Sequence, residues 1–241
     1  MDTSQEREVF RIDERDALER KHAAAIRRAL QAQLNAVLPD DISDEDIWRA
    51  SQKVDENSSE LEAAIIAILL ASLSVGVAAG VAQLGNEGLG IDEAAFTVNG
   101  QEWARRRAKE ALRLINATTS AGIAAAVSDW VRQQARDMAD LKKELAVLVS
   151  RSRAENISTT EGTGGFNHGN AAAAAAAATA LAGLAVVKIE WYTMQDERVC
   201  LICLPRHAQQ RTVGGSYPDG YGAPPAHPRC RCGERIVINA N

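Results

Sequence analysis

Residues 63–82 read AAIIAILLASLSVGVAAGVA, twenty consecutive positions without a charged side chain. A segment of this length and composition either crosses a membrane or forms a helix buried in a protein core. Alanine, glycine and serine supply more than half of it, and the nearest charges are the acidic residues Glu60, Glu62 and Glu87. Membrane anchors usually carry aromatic belts and flanking lysine or arginine, and both are missing from this sequence. These features favour a buried helix, with membrane contact through residues 63–82 as the alternative. The pattern GVAAG at residues 76–80 permits close contact with a second helix.

The composition of the whole chain also indicates helices. Aromatic residues make up 4% of the 241 residues and alanine is abundant, which favours closely packed helices over a β-sandwich. The net charge of −5 argues against a surface devoted to nucleic-acid binding. The first residues, MDTSQEREVFRIDERD, lack the apolar segment of a signal peptide. We therefore expect a protein made and kept in a reducing cytoplasm, where cysteine clusters bind metal more often than they form disulfides.

Helical periodicity and capping residues predict the helices of the body. One apolar face runs through residues 14–38 and carries Leu18, Ile26, Leu30, Leu34 and Val37. Ser43 with Asp46 is expected to cap a second helix that ends near residue 56, and Ser58 or Ser59 to begin the apolar one. Residues 159–170, TTEGTGGFNHGN, are expected to interrupt the later helices. The eight alanines from Ala171 then predict a new helix that ends near Leu184.

The character of the sequence changes after residue 185. AVVKIEWYTM is β-branched and aromatic and predicts a strand, ERIVI near the end predicts a second one, and the segment between them is rich in glycine and proline. We predict a mainly α fold: a body of long helices with a small, loop-rich α+β module at the C-terminus. A bound metal ion is expected to hold this module together. The predicted divisions are residues 1–99, which include an apolar helix at 63–85, residues 100–184 and residues 185–241.

All four cysteines lie in the last part of the chain, as a C-x2-C pair and a C-x-C pair separated by 26 residues. Zn²⁺ takes four ligands in a tetrahedron and is well bound by thiolate and imidazole. Five side chains compete for the four places: Cys200, Cys203, Cys230, Cys232 and His227. Our first choice is the four cysteines, with His227 able to replace one of them, in a closed structural site. Disulfides, reduced thiols, a redox C-x2-C pair and a catalytic zinc remain the alternatives. His207 falls outside good ligand spacing and is expected at the surface.

A basic run at Arg105, Arg106, Arg107 and Lys109 is a possible phosphate contact, although such runs are more often solvated helix faces. The sequence contains no serine–histidine–acid set, phosphate-binding glycine loop or paired-carboxylate site. We therefore expect no enzymatic activity.

The C-terminal motifs resemble a known family. WYTMQDERVCLIC followed by PPAHPRCRC is similar to the signature of the phage Mu protein F-like head morphogenesis family, the minor head proteins of tailed bacteriophages. Besides the five candidate ligands, the resemblance rests on Trp191, Asp196, Pro224, Pro225, Pro228 and Arg231. Upstream it rests on Ala154, Thr160, Glu161 and either Asn167 or Asn170. It covers roughly residues 100–238. Structural roles are expected for Glu161, Trp191, Asp196, Pro225, Pro228 and Arg231.

The resemblance implies a virion component that is made in the host cytoplasm and lies in several copies inside the phage head or at the portal vertex. It implies portal protein and major capsid or scaffold proteins as partners, and the genome DNA as a further one, in assembly, packaging or ejection. An ejected protein of this kind could contact a membrane through residues 63–82. The family's module also occurs joined to toxin or transferase domains, but residues 1–99 carry no motif for either.

Overall fold

The computed structural model describes residues 7–39, 43–85, 97–133, 137–194 and 199–240. Six α-helices within these residues form most of the structure: α1 (Ile12–Val37), α2 (Asp44–Ile47), α3 (Ser59–Gly85), α4 (Thr97–Arg132), α5 (Met138–Leu145) and α6 (Arg151–Ala180). Short 3-10 helices span Ala50–Lys53, Asp55–Asn57, Ala146–Val149 and Leu204–Arg206. Three strands follow α6: β1 (Ala185–Tyr192), β2 (Gln210–Thr212) and β3 (Gly233–Ala240). The predicted mainly α fold with a small C-terminal sheet is confirmed.

The chain divides into two compact units. The sheet unit comprises Met1–Glu19, Ile68–Ala104 and Thr159–Asn241. The helical unit comprises Arg20–Ala67 and Arg105–Ser158. The divisions predicted from the sequence, at residues 99 and 184, cut the chain into continuous segments, whereas each unit combines several segments. Those divisions stay a prediction.

Within the helical unit, the predicted apolar face of α1 is buried. Ile26, Leu30, Leu34 and Val37 are all less than a tenth exposed. Ser43 caps α2 as expected, since its hydroxyl accepts a hydrogen bond from the backbone N–H of Asp46.

The expected extension of α2 to residue 56 is wrong, because the helix ends at Ile47. The backbone continues in two 3-10 helices, and the carbonyl of Val54 accepts from the side chains of Gln33 and Ser58. In a continuing α-helix, the carbonyl of Val54 would accept from the backbone N–H four residues later. Here two side chains donate to it as well, and they favour the non-helical path.

Helix α6 runs without a break through residues 159–170, so the predicted interruption is wrong. The glycines of this segment lie where the backbone of α3 approaches α6 within the sheet unit. A Cβ atom on Gly165 would lie 2.6 Å from the Leu69 carbonyl oxygen, and one on Gly169 would lie 2.2 Å from that of Leu73. Glycine lowers the intrinsic stability of the helix, but here it allows close packing that a side chain would prevent. The helix ends at Ala180 rather than near Leu184.

Helix α3 contributes the matching surface to this contact. A Cβ atom on Gly76 would lie 1.9 Å from the Phe166 carbonyl oxygen, and one on Gly80 would lie 2.6 Å from the Cβ of Ala173. The close helix contact predicted for residues 76–80 therefore forms with α6.

Among the described residues, α3 is the one helix long and apolar enough to cross a membrane by length and composition. Of its most apolar window, 56% is buried inside the protein. Core helices of soluble proteins pass the same test, so this composition is weak support for a membrane span. The packing on α6 favours the buried interpretation, and membrane contact through residues 63–82 stays a prediction.

The sheet has the order β2-β1-β3 with antiparallel pairs throughout. Ile189 in β1 lies opposite Arg211 on one side and Ile236 on the other. Val187 and Ile189 pack on Leu84 and on the alanine run of α6, where Ala173, Ala174 and Ala177 are fully buried. The small side chains of α6 thus let the sheet lie close to the helix.

Candidate metal centre

Two turns place the candidate ligands. In the first, the backbone N–H groups of Cys203 and Leu204 both donate to the carbonyl of Cys200. In the second, the N–H of Cys230 donates to the carbonyl of His227. The chain then passes Cys232 and enters β3 at Gly233. Each turn therefore presents two donor side chains that are close in sequence.

The structure brings all five predicted donor atoms into one cluster. The Nε2 atom of His227 lies 3.0 Å from the Sγ of Cys200 and 3.1 Å from the Sγ of Cys203. Cys203, Cys230 and Cys232 form a second group of three, and all donor atoms within each group lie within 4.8 Å of one another. The Sγ atoms of Cys203 and Cys230 are 3.8 Å apart. A tetrahedral zinc with Zn–S bonds near 2.3 Å places sulfurs about 3.8 Å apart, so this separation fits the ion.

The same separation is far longer than the roughly 2.05 Å sulfur–sulfur bond of a disulfide. No disulfide joins the four cysteines in this structure. With His227 they form a donor set that could hold a metal ion.

His227 is oriented as a metal ligand. Its Nδ1 atom lies 2.7 Å from the carbonyl oxygen of Pro228. A carbonyl oxygen can only accept, so Nδ1 carries the hydrogen and the neutral ring directs the Nε2 lone pair at the sulfurs. Ligand histidines are commonly held in this way by a backbone carbonyl. The contact uses only the backbone of Pro228, whose side chain is exposed, and the expected structural role of this proline stays a prediction.

Burial and mutual hydrogen bonds shape the ionisation of the thiols. Cys203, Cys230 and Cys232 are nearly inaccessible to solvent, and Cys200 is half-buried. Hydrogen bonds from Cys203 and Cys232 lower the pKa of Cys230. The pKa of Cys203 is raised by its hydrogen bond to Cys230 and by burial. A bound cation would displace the protons of the thiols that it binds, because metal-ligating cysteines are deprotonated.

Trp191 packs against the cysteines. It forms one buried apolar cluster with Tyr217, Cys203, Cys230 and Cys232. Its indole N–H is buried and has no hydrogen-bond partner among the described residues. Trp191 itself is fully buried, and its expected structural role stays a prediction.

One face of α6 holds the second cysteine pair. The Thr163 hydroxyl donates to the carbonyl of Cys230 at 2.7 Å, and the Asn167 amide donates to that of Cys232 at 3.1 Å. The Asn170 amide donates to the next alternate carbonyl, that of Glu234, at 2.6 Å. The helix therefore binds every second carbonyl of the chain as it enters β3. This role was missed from the sequence because the helix was expected to break here, although the spacing of 163, 167 and 170 is helical.

A family model described as phage Mu protein F like protein matches residues 86–234, more than half of the chain. The chain belongs to the phage Mu protein F like family. The matched region contains all five donor side chains and the polar face of α6. No curated protein and no solved structure matches the chain. Family membership makes it a phage head morphogenesis protein, associated with the virion and with other head components.

A buried ion pair lies beside the cysteine cluster in this Mu F-like protein. The Arg211 guanidinium donates to both carboxylate oxygens of Glu234, at 3.0 and 3.2 Å, and the Tyr217 hydroxyl donates to one of them at 2.8 Å. Burial raises the pKa of the Glu234 carboxyl, and Arg211 opposes the shift. The Tyr217 ring packs edge-on against Trp191, with 5.2 Å between ring centroids. Sequence reasoning missed this pair because no local pattern links residues so far apart.

The remaining family-motif residues have different environments. Glu161 is buried on α6, and Pro225 and Arg231 are half-buried. A Cβ atom on Gly164 would lie 3.5 Å from the Cδ of Pro225, which places the proline beside α6. Asp196 lies outside the described residues.

The other predicted positions lie away from the cysteines or outside the ligand set. The basic run lies on α4 in the helical unit, where Arg105, Arg106 and Lys109 are exposed and Arg107 pairs with Glu110. Its contact with phosphate stays a prediction.

His207 differs from the expected surface position because it is half-buried. Its Nδ1 lies 3.1 Å from the Thr193 hydroxyl, and its ring packs edge-on against Tyr192.

Proposed function

We propose that this chain is a minor head protein of a tailed phage, present in several copies near the portal, with a C-terminal module fastened by Zn²⁺. The observation that carries the proposal is the convergence of five soft donor atoms in a family whose role is head morphogenesis. Between β1 and β3, the described residues 199–232 contain one three-residue strand and one three-residue 3-10 helix, so they have little regular secondary structure. A metal ion supplies the stability that such a segment cannot obtain from a core.

We assign the four ligands as Cys200, Cys203, Cys230 and His227. The ring of His227 approaches two of these sulfurs, and Cys203 is the sulfur shared by both donor groups. Cys230 joins the set through the 3.8 Å separation of its Sγ from that of Cys203, and Cys232 is the cysteine left outside it. This assignment departs from the sequence-based preference for four cysteines. Four protein ligands close the site, so the ion would be structural rather than catalytic.

A structural rather than enzymatic role is part of the proposal. The buried ionisable groups of the sheet unit are used in internal contacts: Glu234 binds Arg211, and Glu19 accepts a hydrogen bond from Thr159 at 2.8 Å. Assays for nuclease and transferase activity on the purified chain test this directly, and turnover that survives purification would contradict it.

Portal protein is the proposed principal partner, with major capsid or scaffold proteins and genome DNA as further ones, in packaging or ejection. Co-expression of the chain with the portal protein of the same phage, followed by affinity capture of the portal, tests the assignment. We expect the wild-type chain to be captured. If the chain is found in phage heads but is not captured with the portal protein, another partner recruits it to the virion.

Membrane contact during ejection is a second candidate, favoured by the uncharged residues 63–82 of α3. Flotation of the full chain with liposomes tests it against a Leu70→Asp variant, since Leu70 lies within the apolar segment and is half-buried. Binding that the variant loses supports insertion of α3. Absence of binding for both proteins assigns the segment to the core.

A further inference from the structure

A groove of about 540 Å³ lies in the helical unit, between α1 and the beginning of α6. It is lined by Ala23 and Ala24 together with the four arginines Arg20, Arg27, Arg28 and Arg151. The arginines at positions 20, 27 and 28 are on the same helix and are all exposed. The lining of the groove therefore combines small side chains with long cationic ones.

The charge of this groove is strongly positive. Glu155 is the single acidic residue that lines it, and its carboxylate already binds Arg151, with 2.6 Å between nitrogen and oxygen. Within the described ranges, Arg20 and Arg28 form no ion pair, and Arg27 spends one N–H on the carbonyl of Val149. Three guanidinium groups thus remain uncompensated, on a chain whose net charge is −5.

We propose that this groove binds the phosphate backbone of duplex DNA. The guanidinium group forms paired hydrogen bonds with phosphate and stays charged at every relevant pH. Arg20 and Arg27 are seven residues apart, which is about 10 Å along a helix. One strand of duplex DNA carries a phosphate for every 3.4 Å of its axis, so this span covers about three phosphates. The arginine row therefore matches a run of backbone charges rather than a single anion.

The lining of the groove excludes the main competing ligands. No aromatic side chain lines it, so it offers no platform on which unpaired bases could stack. Its apolar part consists of two alanines, which provide no pocket for the large anchoring side chains of a protein partner. Phosphate contacts need only charge and hydrogen-bond donors, and both are present. The acidic remainder of the chain repels DNA and would confine binding to this groove.

The test measures binding of a fluorescein-labelled 24-base-pair duplex to the full chain by anisotropy, over a range of salt concentrations. The variant Arg20→Gln/Arg28→Gln removes two unpaired charges without reversing them. We expect its affinity to fall at least about tenfold near 0.1 M salt, and the slope of log K against log salt to decrease by about 2. The matched control is Lys142→Gln/Lys143→Gln, which removes two exposed charges from α5 and should retain wild-type binding.

Each other result would overturn the proposal. Equal losses in both variants would reflect net charge alone, and unchanged binding in Arg20→Gln/Arg28→Gln would place the contact elsewhere. Displacement of the duplex by a polyglutamate peptide at equal charge concentration would assign the groove to an acidic protein segment. Unchanged melting temperatures of both variants establish that the fold is intact. The inference is independent of the zinc site, whose metal content neither variant should alter.

Discussion

The side-chain amide of Asn167 donates a hydrogen bond to the backbone carbonyl of Cys232, with 3.1 Å between nitrogen and oxygen. The two residues are 65 positions apart in the chain, and both are buried. Helix α6 therefore sets the position of the second cysteine pair through its side chains. A change on this helix should reach the metal centre without touching a ligand.

Replacement of Asn167 by alanine should lower the free energy of unfolding by about 1–3 kcal/mol, because the carbonyl of Cys232 would lose a buried partner. Urea denaturation of the zinc-loaded chain measures the effect. Asn35→Ala is the matched control, since Asn35 is exposed on α1 and bonds only to Gln31. Equal effects of the two substitutions would contradict a special role for Asn167.

The ligand assignment makes the cysteines unequal. Protein purified without chelator should carry about one zinc per chain, and Cys203→Ser or His227→Ala should release it. Cys232→Ser should retain the metal, because its sulfur lies outside the proposed set. Elemental analysis measures the content, with His207→Ala as a control at a histidine that binds Thr193 instead. Retention in His227→Ala together with loss in Cys232→Ser would establish four cysteine ligands.

The contact between α3 and α6 should tolerate no side chain at its centre. A Cβ atom on Gly76 would lie 1.9 Å from the backbone oxygen of Phe166, so Gly76→Ala must push the helices apart. We expect a loss of roughly 1–3 kcal/mol or more in unfolding free energy, as for other overpacked cores. Gly85→Ala on the same helix meets nothing within 4 Å and should be neutral or stabilising. Thermal melts measure the melting temperatures of the two variants. Equal changes in melting temperature would contradict the close packing at Gly76.

Glu19 gives a prediction for the pH dependence of stability. Burial raises the pKa of its carboxyl above the usual value, and Arg15 opposes the shift. A raised folded-state pKa means that the contribution of Glu19 is fully present below the unfolded pKa and declines as the pH rises through the folded one. Glu19→Gln removes this titration. The free energy of unfolding of the variant, relative to that of wild type, should therefore be lower at pH 4 than at pH 7.

Chemical denaturation at the two pH values measures the difference for Glu19→Gln. The exposed Glu14 supplies the control Glu14→Gln. If the unfolding free energy of Glu19→Gln relative to wild type is lower at pH 7 than at pH 4, the sign is reversed and the assignment is refuted.

Local signals in the sequence predicted the elements that depend on local physics. The spacing of Ile26, Leu30 and Leu34 gave the buried face of α1, and the β-branched run after residue 185 gave β1. The cysteine spacing predicted a shared centre, because C-x2-C and C-x-C each fold back within one turn. The donor atoms do converge in the structure.

Tertiary contacts decided the features that the sequence did not reveal. Four glycines between residues 162 and 169 would weaken an isolated helix. In the structure α6 continues through them, because the backbone of α3 packs against the space that their missing side chains leave. The choice of His227 as a ligand depends on a hydrogen bond to Pro228 that fixes its ring, which spacing cannot show. Arg211 on β2 and Glu234 on β3 are close because the two strands flank β1 in the sheet, and this arrangement is not visible in the sequence.

The two pairs of proposed ligands enclose residues 204–226, and this has a consequence for how the protein can change over generations. The stability of a closed loop decreases only with the logarithm of its length, so added residues between fixed ends cost little. The exposed turns at Gly214 and Gly220, both with positive φ, lie within that loop. Insertions there should be accepted, so that relatives could acquire new surface while the ligand pairs stay in place.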